Sequence, residues 1–337
     1  MSYLTTPTSF ITVDGTQIAY REMSAGASRL PLVMLVHLAA NLDNWDPRTV
    51  DQLAQSRHLI LVDLPGVGAS GGTVPATIEE AGQQAARIVR GLGYERVDLL
   101  GLSMGGMIAQ EVVRHDPSLV EHLILVGTGP RAGLGIDKVT PTTMRYMFRA
   151  ALHRTDPKRY IFYTHDAHGE AEARKVLAHL GSRTKEHADK PMAVRSFLRQ
   201  LRAIKRWGTA PADDLSFITM PTLIVNGDTD DMVPTPNSYD MHGRIKDSHL
   251  VIYPHAGHGT PVTDRSSKTP RSSPPRSTSS WRTPTRRADA PAAPTRLPCP
   301  GLVPLFRDEA GAGCQIDEAP MRGAGAPPTR RGSRAAP

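Results

Sequence analysis

Three short stretches hold the residue types that nucleophilic acyl transfer requires. Gly101-Leu102-Ser103-Met104-Gly105 fits G-x-S-x-G, a pattern that can expose a serine hydroxyl on a tight turn. A hydroxyl is a weak nucleophile, so it needs a base within hydrogen-bond reach, and the base needs an orienting carboxylate. Carboxylates cluster in Gly227-Asp228-Thr229-Asp230-Asp231-Met232-Val233-Pro234, and imidazoles in His255-Ala256-Gly257-His258-Gly259. Each stretch alone has a plain reading as a turn or a solvated loop. Their chain order of serine, acid and histidine, each directly after an apolar run, favours the catalytic reading.

Those apolar runs are the elements that must position the chemistry. FITVDGTQIAYRE (10–22) reads as a hairpin turning at Asp14-Gly15. LPLVMLVHL (30–38), HLILVDL (58–64), RVDLLGLS (96–103), HLILVG (122–127), MPTLIVNGD (220–228) and HLVIYP (249–254) are short continuous apolar runs. Helical patterns separate them at 46–55, 77–92, 104–116 and near 237–245. This alternation predicts an α/β fold with a mostly parallel central sheet buried on both faces and flanked by helices. Residues 131–212 break the alternation with charged, helix-like pieces, and they predict a helical lid inserted into the same domain.

The tetrahedral intermediate of acyl transfer needs backbone N–H donors for its oxyanion. The residue after the serine supplies one, Met104. The loop after the 30–38 strand supplies the second, expected at Ala39 with Leu38 as runner-up. His37, Leu38 and Trp45 are expected to line the substrate pocket. Met144, Met147, Phe148, Phe162, Tyr163, Phe197 and Trp207 are candidates for an acyl pocket under the lid, or for ordinary lid packing.

Taken together, GLSMGG (101–106), DLPGVGAS (63–70), GDTDDMVP (227–234) and PHAGHG (254–259) resemble the α/β-hydrolase fold family. The likeness is to its small bacterial serine hydrolases and cofactor-free haloperoxidase and perhydrolase relatives, over about residues 8–259. The resemblance implies Asp230 as the acid and His258 as the base, with Asp228 and His255 as neighbours. It implies hydrolysis of a small apolar carboxylic ester or lactone through an acyl-enzyme, with no metal or organic cofactor, and a perhydrolase side activity where peroxide replaces water. Two departures stand out. The family's oxyanion loop usually begins His-Gly, whereas this chain has His37-Leu38, which is expected to alter the turn and narrow the pocket. The family also continues past the base histidine into a packed helix that this chain lacks.

Composition sharpens the second departure. Apolar residues make up 39%, below the ~45–50% of an average folded domain. Residues 1–260 carry 27 Lys+Arg against 27 Asp+Glu; residues 261–337 carry 13 against 6, with 14 of the 29 prolines. The excess of +7 therefore belongs to a Pro/Arg/Ser-rich tail, and gives the body no preference for nucleic acid. The expected organisation is a hydrolase domain at 1–260 and a disordered tail at 261–337. The tail reads like a GC-rich sequence translated out of frame, which predicts a frameshift near codon 260. The alternative function is an inactive or unstable remnant without the terminal helix. Both cysteines, Cys299 and Cys314, lie in the tail, so the body has no thiol chemistry. No signal peptide or membrane span is expected, which points to a cytoplasmic protein. His165, Asp166, His168 and Glu170 could ligate a metal by type, but a polar lid loop is the preferred reading because no paired ligands occur elsewhere.

Overall fold

Asp14 and Gly15 both take positive φ, 49° and 73°. That geometry makes the two-residue turn that matches the twist of a hairpin. It joins β1 (Ser9–Val13) to β2 (Thr16–Met23), with Val13 opposite Thr16. The chain then alternates as its pattern predicts, in a computed structural model that describes residues 2–180, 183, 188–259 and 271–272.

The strands that follow are β3 (Leu32–Leu35), β4 (Leu59–Val62), β5 (Val97–Leu102), β6 (Val120–Val126), β7 (Thr222–Gly227) and β8 (Ser248–Tyr253). A two-residue β9 (Arg271–Ser272) pairs antiparallel with β8. Among the described residues the sheet order is β1-β2-β4-β3-β5-β6-β7-β8-β9. β3 to β8 pair in parallel, and β2 joins β4 antiparallel. Every residue of β3, β4, β5 and β7 is buried, which explains why these strands read as continuous apolar runs.

Helices α1 (Pro47–Leu53), α2 (Ile78–Gly91), α3 (Met104–His115) and α8 (Pro236–Arg244) flank the sheet. Thr77 starts α2 by accepting the Glu80 amide on its hydroxyl at 3.1 Å, a cap of about 1 kcal/mol. Ala81, Ala85, Ile88 and Val89 form the helix's buried face, packed in one core cluster with Ile108 and Val112 of α3. A second cluster, with Leu53, Leu61, Leu100 and Val225, fills the opposite face of the sheet.

The helical lid insertion enters between β6 and β7. It holds a 3-10 turn (Ile136–Lys138), α4 (Val139–Leu152), α5 (Lys158–Phe162), α6 (Ala167–Leu180) and α7 (Val194–Thr209). Tyr146, Ile204 and Trp207 anchor it by packing into the first core cluster. At ~1.5–3 kcal/mol per buried large side chain, such anchors fix the insertion on the sheet. The disorder, basic charge and frameshift expected of the tail fall on residues outside those described, apart from β9.

Parallel pairing has a direct consequence for function. The loops after β3, β5, β7 and β8 all leave the same edge of the sheet. They carry His37–Ala39, Ser103, Asp230 and His258.

Candidate active site

Ser103 sits between β5 and α3 with φ 56° and ψ −116°, a conformation that costs an L-residue of order 1–3 kcal/mol. The surroundings hold it there. Its amide donates to Val126 O at 2.8 Å, and its carbonyl accepts from Thr128 Oγ1 at 2.8 Å and Gly106 N at 2.9 Å. A Cβ at Gly101 would strike the backbone of Gly105 and Gly106, and one at Gly105 would strike the Leu35 carbonyl. The spacing of small residues around the serine thus follows from backbone crowding. Met104 is the first helical residue, so its N–H has no acceptor within α3 and the helix end is electropositive.

The acid loop folds on its own carboxylate. Asp230 Oδ1 accepts the amides of Met232 at 2.8 Å and Val233 at 2.9 Å. Oδ2 is left to accept Nδ1–H of His258 at 2.7 Å. Because the carboxylate only accepts, that proton sits on Nδ1 and Nε2 is free to accept from Ser103 Oγ, at 2.8 Å. Ser103, Asp230 and His258 are all buried. The loops of the acid and the histidine are bound to each other: Thr229 donates its amide and its hydroxyl to Ala256 O, at 3.1 and 2.9 Å. Asp228 accepts from the Ala256 amide at 3.2 Å, Asp231 accepts from the Tyr146 hydroxyl at 2.9 Å, and His255 is exposed. The structure therefore brings Ser103, Asp230 and His258 into one chain of hydrogen bonds and leaves Asp228, Asp231 and His255 outside it.

A cavity of about 290 Å³ opens over Ser103 and His258. Its walls are mainly apolar, with Met107, Met147, Phe162, Phe197 and Val233 among them. Phe162 lies between two imidazoles: its ring centre is 5.5 Å from that of His258 and 4.6 Å from that of His37. Burial drives the His37 pKa down to about 3, so this ring stays neutral, with Nδ1–H donating to Leu38 O at 2.8 Å.

The alpha/beta hydrolase fold family matches residues 31–264. The chain belongs to that family. It is similar to an alpha/beta hydrolase fold protein from Chitinophaga pinensis, with 32% identity, a TM-score of 0.72, and coverage of 78% of this chain and 94% of that one. A proline iminopeptidase of Pestalotiopsis fici is 28% identical over 75% of this chain and 93% of its own length. A pimeloyl-[acyl-carrier protein] methyl ester esterase of Nitrosomonas europaea is 27% identical over 67% and 88%. A non-heme haloperoxidase of Rhodococcus erythropolis is 26% identical over 74% and 92%.

Several expectations for this alpha/beta hydrolase need correcting. The amide of Ala39, expected to face an oxyanion, donates to Oε1 of Gln200 at 2.9 Å. The positive φ of the 37–40 loop, 62°, falls on Ala39, and Leu38 is not among the positive-φ residues. The Ala40 amide closes the turn on His37 O at 3.3 Å. Leucine at 38 therefore does not distort the turn, because the demand for a left-handed residue lies one position later. His37, Leu38 and Ala39 do line the cavity, but Trp45 does not: it is buried in the second core cluster, beside a smaller cavity of about 40 Å³. Of the lid candidates, Met147, Phe162 and Phe197 line the cavity, Met144 and Phe148 are exposed on α4, and Trp207 is core.

Among the described residues no group of three or more His, Cys, Asp or Glu could hold a metal. Asp166 instead starts α6 by accepting from the Gly169 amide at 2.8 Å, and His165 packs edge-on against Tyr146 and Tyr160. No helix among the described residues is long and apolar enough to cross a membrane. Gln200 escaped the sequence reading. Its signal was there: it is a polar residue three after Phe197 and four before Ile204, and the other buried residues of α7 are apolar.

Proposed function

We propose that the chain is a serine hydrolase of small, mostly apolar carboxylic esters or lactones, working through an acyl-enzyme. The observation that carries the reading is the series Ser103 Oγ, His258 Nε2, His258 Nδ1, Asp230 Oδ2, linked at 2.8 and 2.7 Å under an apolar cavity. His258 takes the Ser103 proton on Nε2 as Oγ bonds to the substrate carbonyl carbon. The negative charge on the carbonyl oxygen is met by the Met104 amide at the start of α3 and by a second donor in the 37–39 loop. His258 then gives its proton to the departing alkoxide, and the acyl group remains on Oγ. A water oxygen then bonds to the acyl carbon as His258 takes its proton; collapse of the second intermediate breaks the bond to Oγ, His258 returns the proton to Ser103, and the acid is freed. Asp230 holds the imidazole in the tautomer that accepts at Nε2 and stabilises the imidazolium.

A cavity near the lower limit of the ~300–1,000 Å³ typical of ligand sites supports short or compact acyl groups. Similarity to a non-heme haloperoxidase supports peroxide as an alternative acceptor, giving a peracid from the same acyl-enzyme. The test is hydrolysis of p-nitrophenyl acetate and butyrate. Wild-type protein turns them over and Ser103→Ala does not; full activity in Ser103→Ala refutes the assignment.

A further inference from the structure

Phe162, the last residue of α5, borders two cavities. One is the space of about 290 Å³ over Ser103 and His258. The other, of about 40 Å³, lies among Trp45, Tyr163 and Val176. Leu102 and Gly259, the chain neighbours of Ser103 and His258, also border this smaller void. Close-packed interiors keep few holes larger than a water molecule, and here one adjoins the catalytic residues. We propose that Phe162 is a specificity-determining residue: its ring walls off a second apolar compartment and so confines the acyl chain to the larger cavity. The inference rests on the serine-hydrolase reading above and names the residue that limits its acyl-chain length.

His37, Lys158 and Phe162 are the residues that line both cavities. The Lys158 side chain is partly exposed and pairs with Asp156 Oδ2 at 3.6 Å, and His37 is tied by its ring to Leu38 O. Phe162 is the buried, wholly apolar member of the three, and its surroundings hold its ring in place. The ring centre lies 5.5 Å from that of His258, nearly parallel to it at 23°, and 4.6 Å from that of His37. Ala173 and Val176 of α6 pack in the same cluster. The main chain is fixed as well, since Phe162 O accepts the Gly259 amide at 3.0 Å. A Cβ at Gly259 would come within 2.7 Å of the Phe162 ring, so a residue without a side chain after the base leaves the ring its place. A chain too long for the larger cavity leaves its last methylenes in water. Each methylene that finds an apolar site instead gains about fourfold in binding.

The test uses the full chain and compares kcat/KM for p-nitrophenyl octanoate with that for p-nitrophenyl butyrate, which share a leaving group. Phe162→Ala removes the wall and joins the two spaces. The octanoate-to-butyrate ratio should rise about 15-fold, the worth of two more buried methylenes. Phe162→Leu, a milder change in the same core cluster, should raise the ratio by less and carries the test if the alanine variant does not fold. Adding Val176→Phe to Phe162→Ala refills the compartment from the α6 side and should return the ratio toward wild type. A folded Phe162→Ala or Phe162→Leu protein that slows on both esters alike, with the ratio unchanged, overturns the proposal, because the ring then only steadies His258. A raised ratio that persists in the folded double variant overturns it too. Wild-type protein that hydrolyses neither ester overturns the underlying serine-hydrolase reading, a result distinct from an unchanged ratio in active proteins.

Discussion

His258 Nε2 lies 2.8 Å from Ser103 Oγ although 155 residues separate them in the chain. Parallel strands create this closeness: β5 and β8 end on one edge of the sheet, and the loops after them bend toward each other over β6 and β7.

The other side of the imidazole yields the first prediction. Asp230 presents only an acceptor to Nδ1, which fixes the tautomer. Asp230→Asn should lower kcat by about 10⁴, as the same change does in a serine triad, with melting temperature nearly unchanged. Asp228→Asn should leave kcat within a few-fold, since the Asp228 carboxylate accepts from the Ala256 amide and stands outside the Ser103–His258–Asp230 series. Steady-state kinetics on the two variants checks both.

Backbone crowding at the serine turn gives the second. A methyl at Gly105 meets the Leu35 carbonyl, which is strand backbone and cannot give way. Gly105→Ala should destabilise the protein by about 2–3 kcal/mol in urea denaturation. Leu38→Gly should not raise activity, because the positive φ of the loop falls on Ala39 and not on Leu38.

The third concerns acid. The folded-state pKa of His37 is held at about 3 by burial, below the ordinary histidine value of 6.5. Between those values the unfolded chain binds a proton that the folded one refuses, so stability falls as pH drops below 6.5. The slope approaches about 1.4 kcal/mol per pH unit for one such group. His37→Asn, which cannot ionise, should lose less stability than wild type between pH 7 and pH 4.5. Urea midpoints across that range give the comparison; parallel curves would exclude His37 as the cause.

Asp63 predicts the opposite sign. Burial, aided by the neighbouring Asp189, raises its pKa well above the ordinary carboxylate value of 3.8. The folded state keeps a proton that the unfolded state has lost, so stability declines as pH rises from about 4 toward the folded-state pKa. Both Asp63 carboxyl oxygens are buried, beside the Asp189 carboxyl group. Asp63→Asn should raise the melting temperature at pH 8 and leave it nearly unchanged at pH 4, as read by calorimetry.

Much of this architecture was legible because local pattern and tertiary role coincide. Strands buried on both faces must be continuously apolar, so β3, β4, β5 and β7 could be read directly. Asp14-Gly15 suits only a turn with two positive φ values. The stretches carrying Ser103, Asp230 and His258 stood out because each follows such a strand. What stayed hidden depends on direction and distance. Trp45 is close to the oxyanion loop in sequence, yet its side chain turns into the core. The positive φ falls on Ala39, one residue past the position that resemblance marked. Gln200 reaches Ala39 only because the insertion folds back over the sheet edge, which no local pattern encodes.

The central claim is that Ser103 is made nucleophilic by His258. A fluorophosphonate probe with intact-mass and peptide analysis tests it most directly, on wild-type protein and on His258→Ala. One adduct on Ser103, formed rapidly in wild type and at least about 10²-fold more slowly in the variant, is the predicted result. No adduct on wild-type Ser103, or equal labelling in both proteins, would contradict the account and favour a folded chain without catalysis.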